Sequence, residues 1–318
     1  MELMGHLRDW VTTGPLVLFF FVAGMELKAE VTSGSFSKKF SFLIPTFAAA
    51  GGMLFPAVIY WAIATQTSAP NGAWGVPMAT DLPLAIIALS LFSKKISQRI
   101  RGFLLALAVA DDLGSIIIVA FVYHAKINAI YLLIAAIGLA LFWKFSQRST
   151  LIAIVIALGS WYSFKQSGIH PTVIGIVLGI LVSQKNSEAW SKRLLPFINY
   201  LILPVFIVTT LWIPWYLTLK SISSPTVLAL IIARMIGKPL GITLFGLVAL
   251  RVASSKIIQT RELVLIGIIG TLGLSVSMLF ADLAHLGDQS NEVLLGVLLT
   301  VPVALIAIKI SSKFIEQD

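Results

Sequence analysis

The stretch Gly102-Phe-Leu-Leu-Ala-Leu-Ala-Val-Ala-Asp111-Asp112-Leu-Gly-Ser-Ile-Ile-Ile-Val-Ala-Phe-Val-Tyr123 carries two adjacent aspartates in the middle of an apolar run that has no other charged side chain. An aspartate at the centre of a membrane helix costs about 2.5–3.5 kcal/mol on insertion scales, so the pair costs roughly 5–7 kcal/mol. The twelve Leu, Ile, Val and Phe side chains of the run return about 4–7 kcal/mol at roughly 0.3–0.6 each. Alone, the helix is close to break-even. A carboxylate pair held on such terms faces a water-filled cavity or a cationic partner, and such groups mark an ion or proton path.

Composition sets the scene for that helix. Hydrophobic residues make up 58% of the 318 and charged residues only 12%, with a mean hydropathy of +0.96. A soluble globule of this size needs more polar surface, so the chain reads as an integral protein of the lipid bilayer. The absence of cysteine excludes disulfides, thiol nucleophiles and Cys-based metal sites together.

Apolar segments of spanning length, about 17–25 residues, fall near residues 11–30, 40–64, 76–92, 100–123, 127–143, 149–165, 169–183, 194–219, 226–250, 262–286 and 291–311. The expected fold class is therefore an all-α polytopic membrane protein with about 11 transmembrane helices, in a single transporter domain over residues 1–318. The connecting segments alternate in basic content. Lys28, Lys38, Lys39, Lys94, Lys95, Arg99, Arg101, Lys144, Arg148, Lys185, Lys192, Arg193, Arg251, Lys256, Arg261, Lys309 and Lys313 fall on one side, and Arg8, Lys126, Lys165 and Lys220 on the other. The positive-inside rule makes the larger set cytoplasmic. The net charge of +9 is thereby explained by orientation, and no nucleic-acid partner is expected. An odd span count with a cytoplasmic C-terminus puts the N-terminus outside, yet Met1 to Trp10 contains no signal sequence. The reading therefore expects a first helix to be missing.

Two segments look interrupted. Val76-Pro-Met-Ala-Thr-Asp-Leu-Pro-Leu84 brackets Thr80 and Asp81 with prolines, and Gly267-Ile-Ile-Gly-Thr-Leu-Gly-Leu-Ser275 is rich in glycine. Pro83 lacks a donor and clashes with the preceding turn, and unwound backbone survives at membrane depth only where it is buried in protein or lines a cavity. Paired interrupted segments point to a transporter site between inverted repeats. The plainer alternative is two kinked helices packed through small residues. The remaining buried charges are Glu26, Arg234 and Lys238. Near the midplane, Lys238 has three options: to be neutral, to pair with Asp111 or Asp112, or to neutralise the negative ends of broken-helix dipoles. Asp81 has the converse option at their positive ends.

Together these motifs resemble the NhaA-type sodium/proton antiporters. The matching elements are Phe19-Phe-Phe-Val-Ala-Gly-Met-Glu-Leu-Lys28, Ala79-Thr-Asp81, Leu107-Ala-Val-Ala-Asp-Asp-Leu-Gly114, Ser167-Gly-Ile-His170, Tyr200-Leu-Ile-Leu-Pro204 and Ile236-Gly-Lys-Pro-Leu-Gly-Ile242, in family order over nearly the whole chain. The resemblance implies a secondary transporter, not an enzyme, that exports Na+ in exchange for H+ with Li+ as a second cargo and no cofactor. It places the protein in a bacterial inner membrane as a multi-pass chain, with two interrupted helices crossing at mid-membrane. It implies that Asp112 is the principal sodium carboxylate and Asp111 its proton-exchanging neighbour, bridged to Lys238 when no cation is bound. Thr80 and Asp81 then occupy the crossing, and Glu26 and His170 match positions tied to pH response.

Departures from the family pattern are equally specific. Thr13, Ala29 and Ser191 stand where the family carries ionisable residues, Ile207-Val-Thr-Thr-Leu-Trp-Ile213 replaces a small-residue segment, and Arg234 adds a charge one turn from Lys238. The reading also expects the external hairpin that joins family dimers to be missing, which leaves homodimerisation open. These losses keep a truncated or repurposed homologue, a sodium-coupled symporter or cation channel, as the alternative function. Rival chemistries fare worse. An intramembrane aspartyl protease needs its aspartates on different helices, whereas consecutive helical positions point about 100° apart. The Gly237-Lys238 pair is followed by Pro239 instead of the Ser or Thr of a phosphate-binding loop.

Sodium, a hard cation, prefers oxygen ligands, which Asp112, Asp111, the Thr80 hydroxyl and freed backbone carbonyls supply. The adjacent aspartates are expected to titrate as a coupled unit.

Overall fold

The structure, a computed structural model, describes residues 7, 10, 11, 13–33, 39–81, 84, 85, 87, 88, 98–122, 128–169, 171–210, 221–254, 258–284 and 286–315. Among these no strand occurs, and the regular elements are helices, as a chain that satisfies its own backbone in lipid requires. Three of them are long and apolar enough to cross a membrane, Leu43–Ala64, Pro225–Val252 and Ser290–Ser312. They coincide with the expected spans 40–64, 226–250 and 291–311. Of the shorter apolar helices, Leu16–Glu26 and Thr172–Leu181 fall within two more, and Ala129–Phe145 overlaps the expected 127–143 and runs two residues past it. Large apolar side chains such as Leu151, Val155 and Leu133 are exposed. In water such a surface would aggregate, whereas in lipid it is the solvated one.

The chain forms two compact units, residues 1–34 with 116–212 and residues 35–115 with 213–318. The division falls inside one helix, Gln98–Val122, after Ser115. In the first unit, Leu16–Ser33 packs backbone to backbone on Thr172–Leu181. A Cβ at Gly24 would stand 2.3 Å from the Ile176 carbonyl oxygen, and one at Gly179 would stand 2.1 Å from that of Phe21. Only glycine permits that approach, the small-residue packing of membrane helices. Met25, Phe142, Phe164 and Ile174 fill the core beside it, and the Trp161 indole donates to the Thr13 carbonyl at 2.8 Å.

One segment departs from its sequence reading. Residues 184–193, counted among the basic connections, are helical within Gln184–Phe197. Lys, Gln, Glu and Ala favour a helix, and Lys192 bonds Glu188 one turn back at 2.7 Å. This exposed pair holds the Glu188 carboxyl below its usual range.

In the second unit, Lys39–Ala64 crosses Lys238–Val252 through glycine. A Cβ at Gly241 would lie 2.0 Å from the Gly51 carbonyl oxygen, and one at Gly237 would lie 2.9 Å from Pro56 Cα. The segment before Lys238, Ala233–Gly237, is a π-helix. Pro239 explains the widening, because it has no N–H to donate and its ring crowds the carbonyl four residues earlier. Around this crossing lies a core of Ile44, Ala48, Leu104, Leu107, Ile242 and Ile266.

Candidate functional site

Both interrupted segments are broken where expected, and both lie in the second unit. Asn71–Met78 is a 3-10 helix, after which Ala79 turns extended at φ −73° and ψ 146°. Thr260–Ile269 ends, and Ser275–Leu283 begins after an irregular stretch. The two breaks meet. The Asp81 amide donates to the Leu272 carbonyl at 2.7 Å, and the Thr80 hydroxyl donates to that of Gly270 at 3.0 Å. A Cβ at Gly273 would fall 2.2 Å from the Ala79 carbonyl oxygen, so glycine is what allows the strands of unwound backbone to touch. Pro83 lies outside the described residues.

Breaking two helices exposes polar ends, and the buried charges sit on them. Asp81, buried at 8% exposure, accepts from the Ser275 amide at 3.1 Å and from the Ser275 hydroxyl at 2.5 Å. It thereby caps the positive N-terminus of Ser275–Leu283. Lys238 is fully buried. Its ammonium donates to Asp111 Oδ2 at 2.8 Å and to the carbonyl of Met78 at the negative end of the 3-10 helix. Two of the three options for Lys238 are thus realised together, and the partner is Asp111.

Arg234 takes a role that its place in the chain did not foretell. Its guanidinium, 1% exposed, donates to the Val76 carbonyl at 2.8 Å, the Gly273 carbonyl at 2.7 Å, the Thr300 hydroxyl at 3.0 Å and the Ser277 hydroxyl. One side chain therefore holds a carbonyl from each broken segment. The planar fork of donors suits this task, which a single ammonium performs poorly. Among the described residues, three buried side-chain atoms lack a hydrogen-bond partner: Asp111 Oδ1, Ser115 Oγ and Arg234 Nε.

The structure thus brings Thr80, Asp81, Asp111 and Lys238 into one buried cluster and adds Arg234, Ser275 and Ser277. The backbone of Asp112 follows Asp111 in the helix Gln98–Val122, while its side chain lies outside the described residues. His170 also lies outside them. Glu26 is exposed on Leu16–Ser33, in the first unit.

Residues 1–310 match the family model described as Na+/H+ antiporter 1. The chain belongs to that family. Relatives of this antiporter family include a Na(+)/H(+) antiporter NhaA of Tropheryma whipplei strain Twist, 36% identical over 95% of this chain and 82% of its own length. An NhaA of Histophilus somni is 32% identical over 92% of this chain and 77% of its own. One of Haemophilus influenzae strain PittGG is 31% identical over 94% and 79%.

Proposed function

We propose that this chain is a secondary sodium/proton antiporter of a bacterial inner membrane, with the Asp111–Asp112 pair as its exchange site. The observation that carries the site is the buried Asp111 carboxylate: one oxygen is held by Lys238 and the other finds no partner among the described residues, beside two helix breaks. A permanent buried ion pair is seldom the most stable arrangement, so a half-satisfied one reads as a contact made to be exchanged. Sodium arriving at Asp112, Asp111 and Thr80 displaces protons and releases Lys238. Protons arriving from the opposite side displace sodium from both aspartates, and the Lys238 bridge re-forms once Asp111 has given its proton up. Participation of both aspartates exchanges more than one proton per sodium, which makes transport electrogenic, with Li+ as a second cargo.

In this reading residues 1–318 form one transporter domain of about 11 spans built on inverted repeats. The broken helices cross at mid-membrane, the C-terminus is cytoplasmic, and rocking of one repeat bundle against the other supplies alternating access. The test is sodium-induced alkalinisation in everted vesicles carrying the chain. Proton release from an acidified lumen on adding NaCl, absent with choline chloride, is expected. Vesicles whose pH ignores sodium would refute the reading.

A further inference from the structure

Hydroxyls inside helices normally satisfy themselves by donating to a carbonyl one turn back. Several in this chain do so: Thr32 to Lys28, Ser160 to Ile156, Thr209 to Val205 and Thr300 to Val297. Ser115 does not. It is fully buried on the helix Gln98–Val122, and its oxygen has no partner among the described residues. A buried polar atom left in that state is destabilising and calls for an explanation.

The explanation lies four residues earlier. Asp111 is also buried, and its Oδ1 is likewise without a partner. Side chains at i and i+4 share one helix face, with Cβ atoms about 5–6 Å apart. Two of the three orphaned buried atoms are therefore oxygens stacked one turn apart on the same helix. A hard cation gathers oxygen ligands, and a neutral hydroxyl beside a carboxylate adds a donor atom without adding charge. Among the described residues, no three acidic or imidazole side chains gather in one place. A cation here draws its remaining oxygens from hydroxyls and carbonyls.

We infer that Ser115 is a ligand of the transported sodium, extending the aspartate site by one turn of its helix. This rests on the reading of Asp111 and Asp112 as the exchange site. A sodium ion bound there meets the Ser115 oxygen and Asp111 Oδ1 at once.

The experiment titrates sodium at fixed pH in everted vesicles bearing wild type, Ser115→Ala, Ser115→Cys or Ser115→Thr. Alanine removes the oxygen, and cysteine keeps the shape but offers a soft sulfur that sodium disfavours. Both are expected to raise half-saturating sodium about tenfold, the scale of one polar contact, with the maximal rate retained. Threonine keeps the oxygen and restores wild-type affinity. The rise in melting temperature that NaCl gives the purified wild type, relative to choline chloride, should require correspondingly more sodium in the Ala and Cys variants. Half-saturation within twofold of wild type in both would overturn the assignment. Asp112→Asn run in parallel separates the two failures. If Asp112→Asn exchanges normally, the aspartate site falls and takes Ser115 with it. If it is inactive while the Ser115 variants titrate like wild type, Ser115 alone falls.

Discussion

Replacing Lys238 by alanine deletes a fully buried ammonium and strands two acceptors at once, Asp111 Oδ2 and the Met78 carbonyl. Because Asp111 Oδ1 already lacks a partner among the described residues, neither oxygen of that carboxylate retains a charged donor. Breaking a buried pair from one side costs about 3–5 kcal/mol. For a chain of 318 residues, unfolding entropy converts each kcal/mol into roughly 1.5 °C of melting temperature. The variant should therefore melt about 4–8 °C below wild type in sodium-free, mildly alkaline detergent buffer. Sodium should narrow the gap, since it supplies the missing positive charge, and acid should narrow it too, since a proton removes the stranded negative one. Fluorescence-detected melting at matched pH with NaCl or choline chloride measures all three conditions. Coincident midpoints in sodium-free buffer would mean that Lys238 and Asp111 do not depend on each other.

Other outcomes follow from the same cluster. Asp112→Asn should abolish sodium-dependent proton flux while the protein still inserts, and Asp112→Glu should keep weak activity; vesicle fluorescence quenching reads both. Arg234→Gln removes a charged fork shared by carbonyls of both broken helices, so it should lower the melting temperature at least as far as Lys238→Ala. Arg234→Lys keeps the charge but not the fork and should fall between Arg234→Gln and wild type; equal melting of all three would dissolve the role given to Arg234. Thr13, Ala29 and Ser191 replace ionisable family positions, so pH should act chiefly through protons competing with sodium. Raising sodium should then move the activity profile towards acid and restore full rate there, whereas profiles that stay fixed at saturating sodium would reveal a separate sensor.

How far the sequence could be read depended on what kind of group each residue meets. Asp111, Lys238, Thr80 and Asp81 stand out because charge and proline are conspicuous in apolar runs, and a buried charge implies a partner. That economy of partners left Lys238 a choice that included Asp111 or Asp112, and only the family resemblance pointed to Asp111. Arg234 was equally conspicuous but could not be placed, because its acceptors Val76 and Gly273 are engaged through backbone carbonyls, which every residue has. Ser115 was silent for a different reason. A serine in an apolar helix usually bonds its own backbone, and only the unfilled hydrogen bond in three dimensions sets it apart. Helix Gln184–Phe197 was obscured by its own charge: Lys185, Lys192 and Arg193 counted as topology markers, although Glu188 and Lys192 also form an i,i+4 pair.

The four buried ionic side chains of the cluster, Asp81, Asp111, Arg234 and Lys238, have formal charges that cancel. Asp112 adds one negative charge next to them in sequence. An ionised Asp112 thus leaves the group at minus one, and a single sodium or a single proton brings it to zero. In the proposed cycle, a one-for-one exchange would carry either cargo through the low-dielectric interior at the same net charge, with no extra electrostatic barrier in either direction. The membrane voltage has no purchase on that one-for-one swap. Under the proposed exchange of more than one proton per sodium, voltage acts on the second proton, which Asp111 takes up once Lys238 lets go, and this single contact is then the point at which an electrical gradient is converted into a sodium gradient.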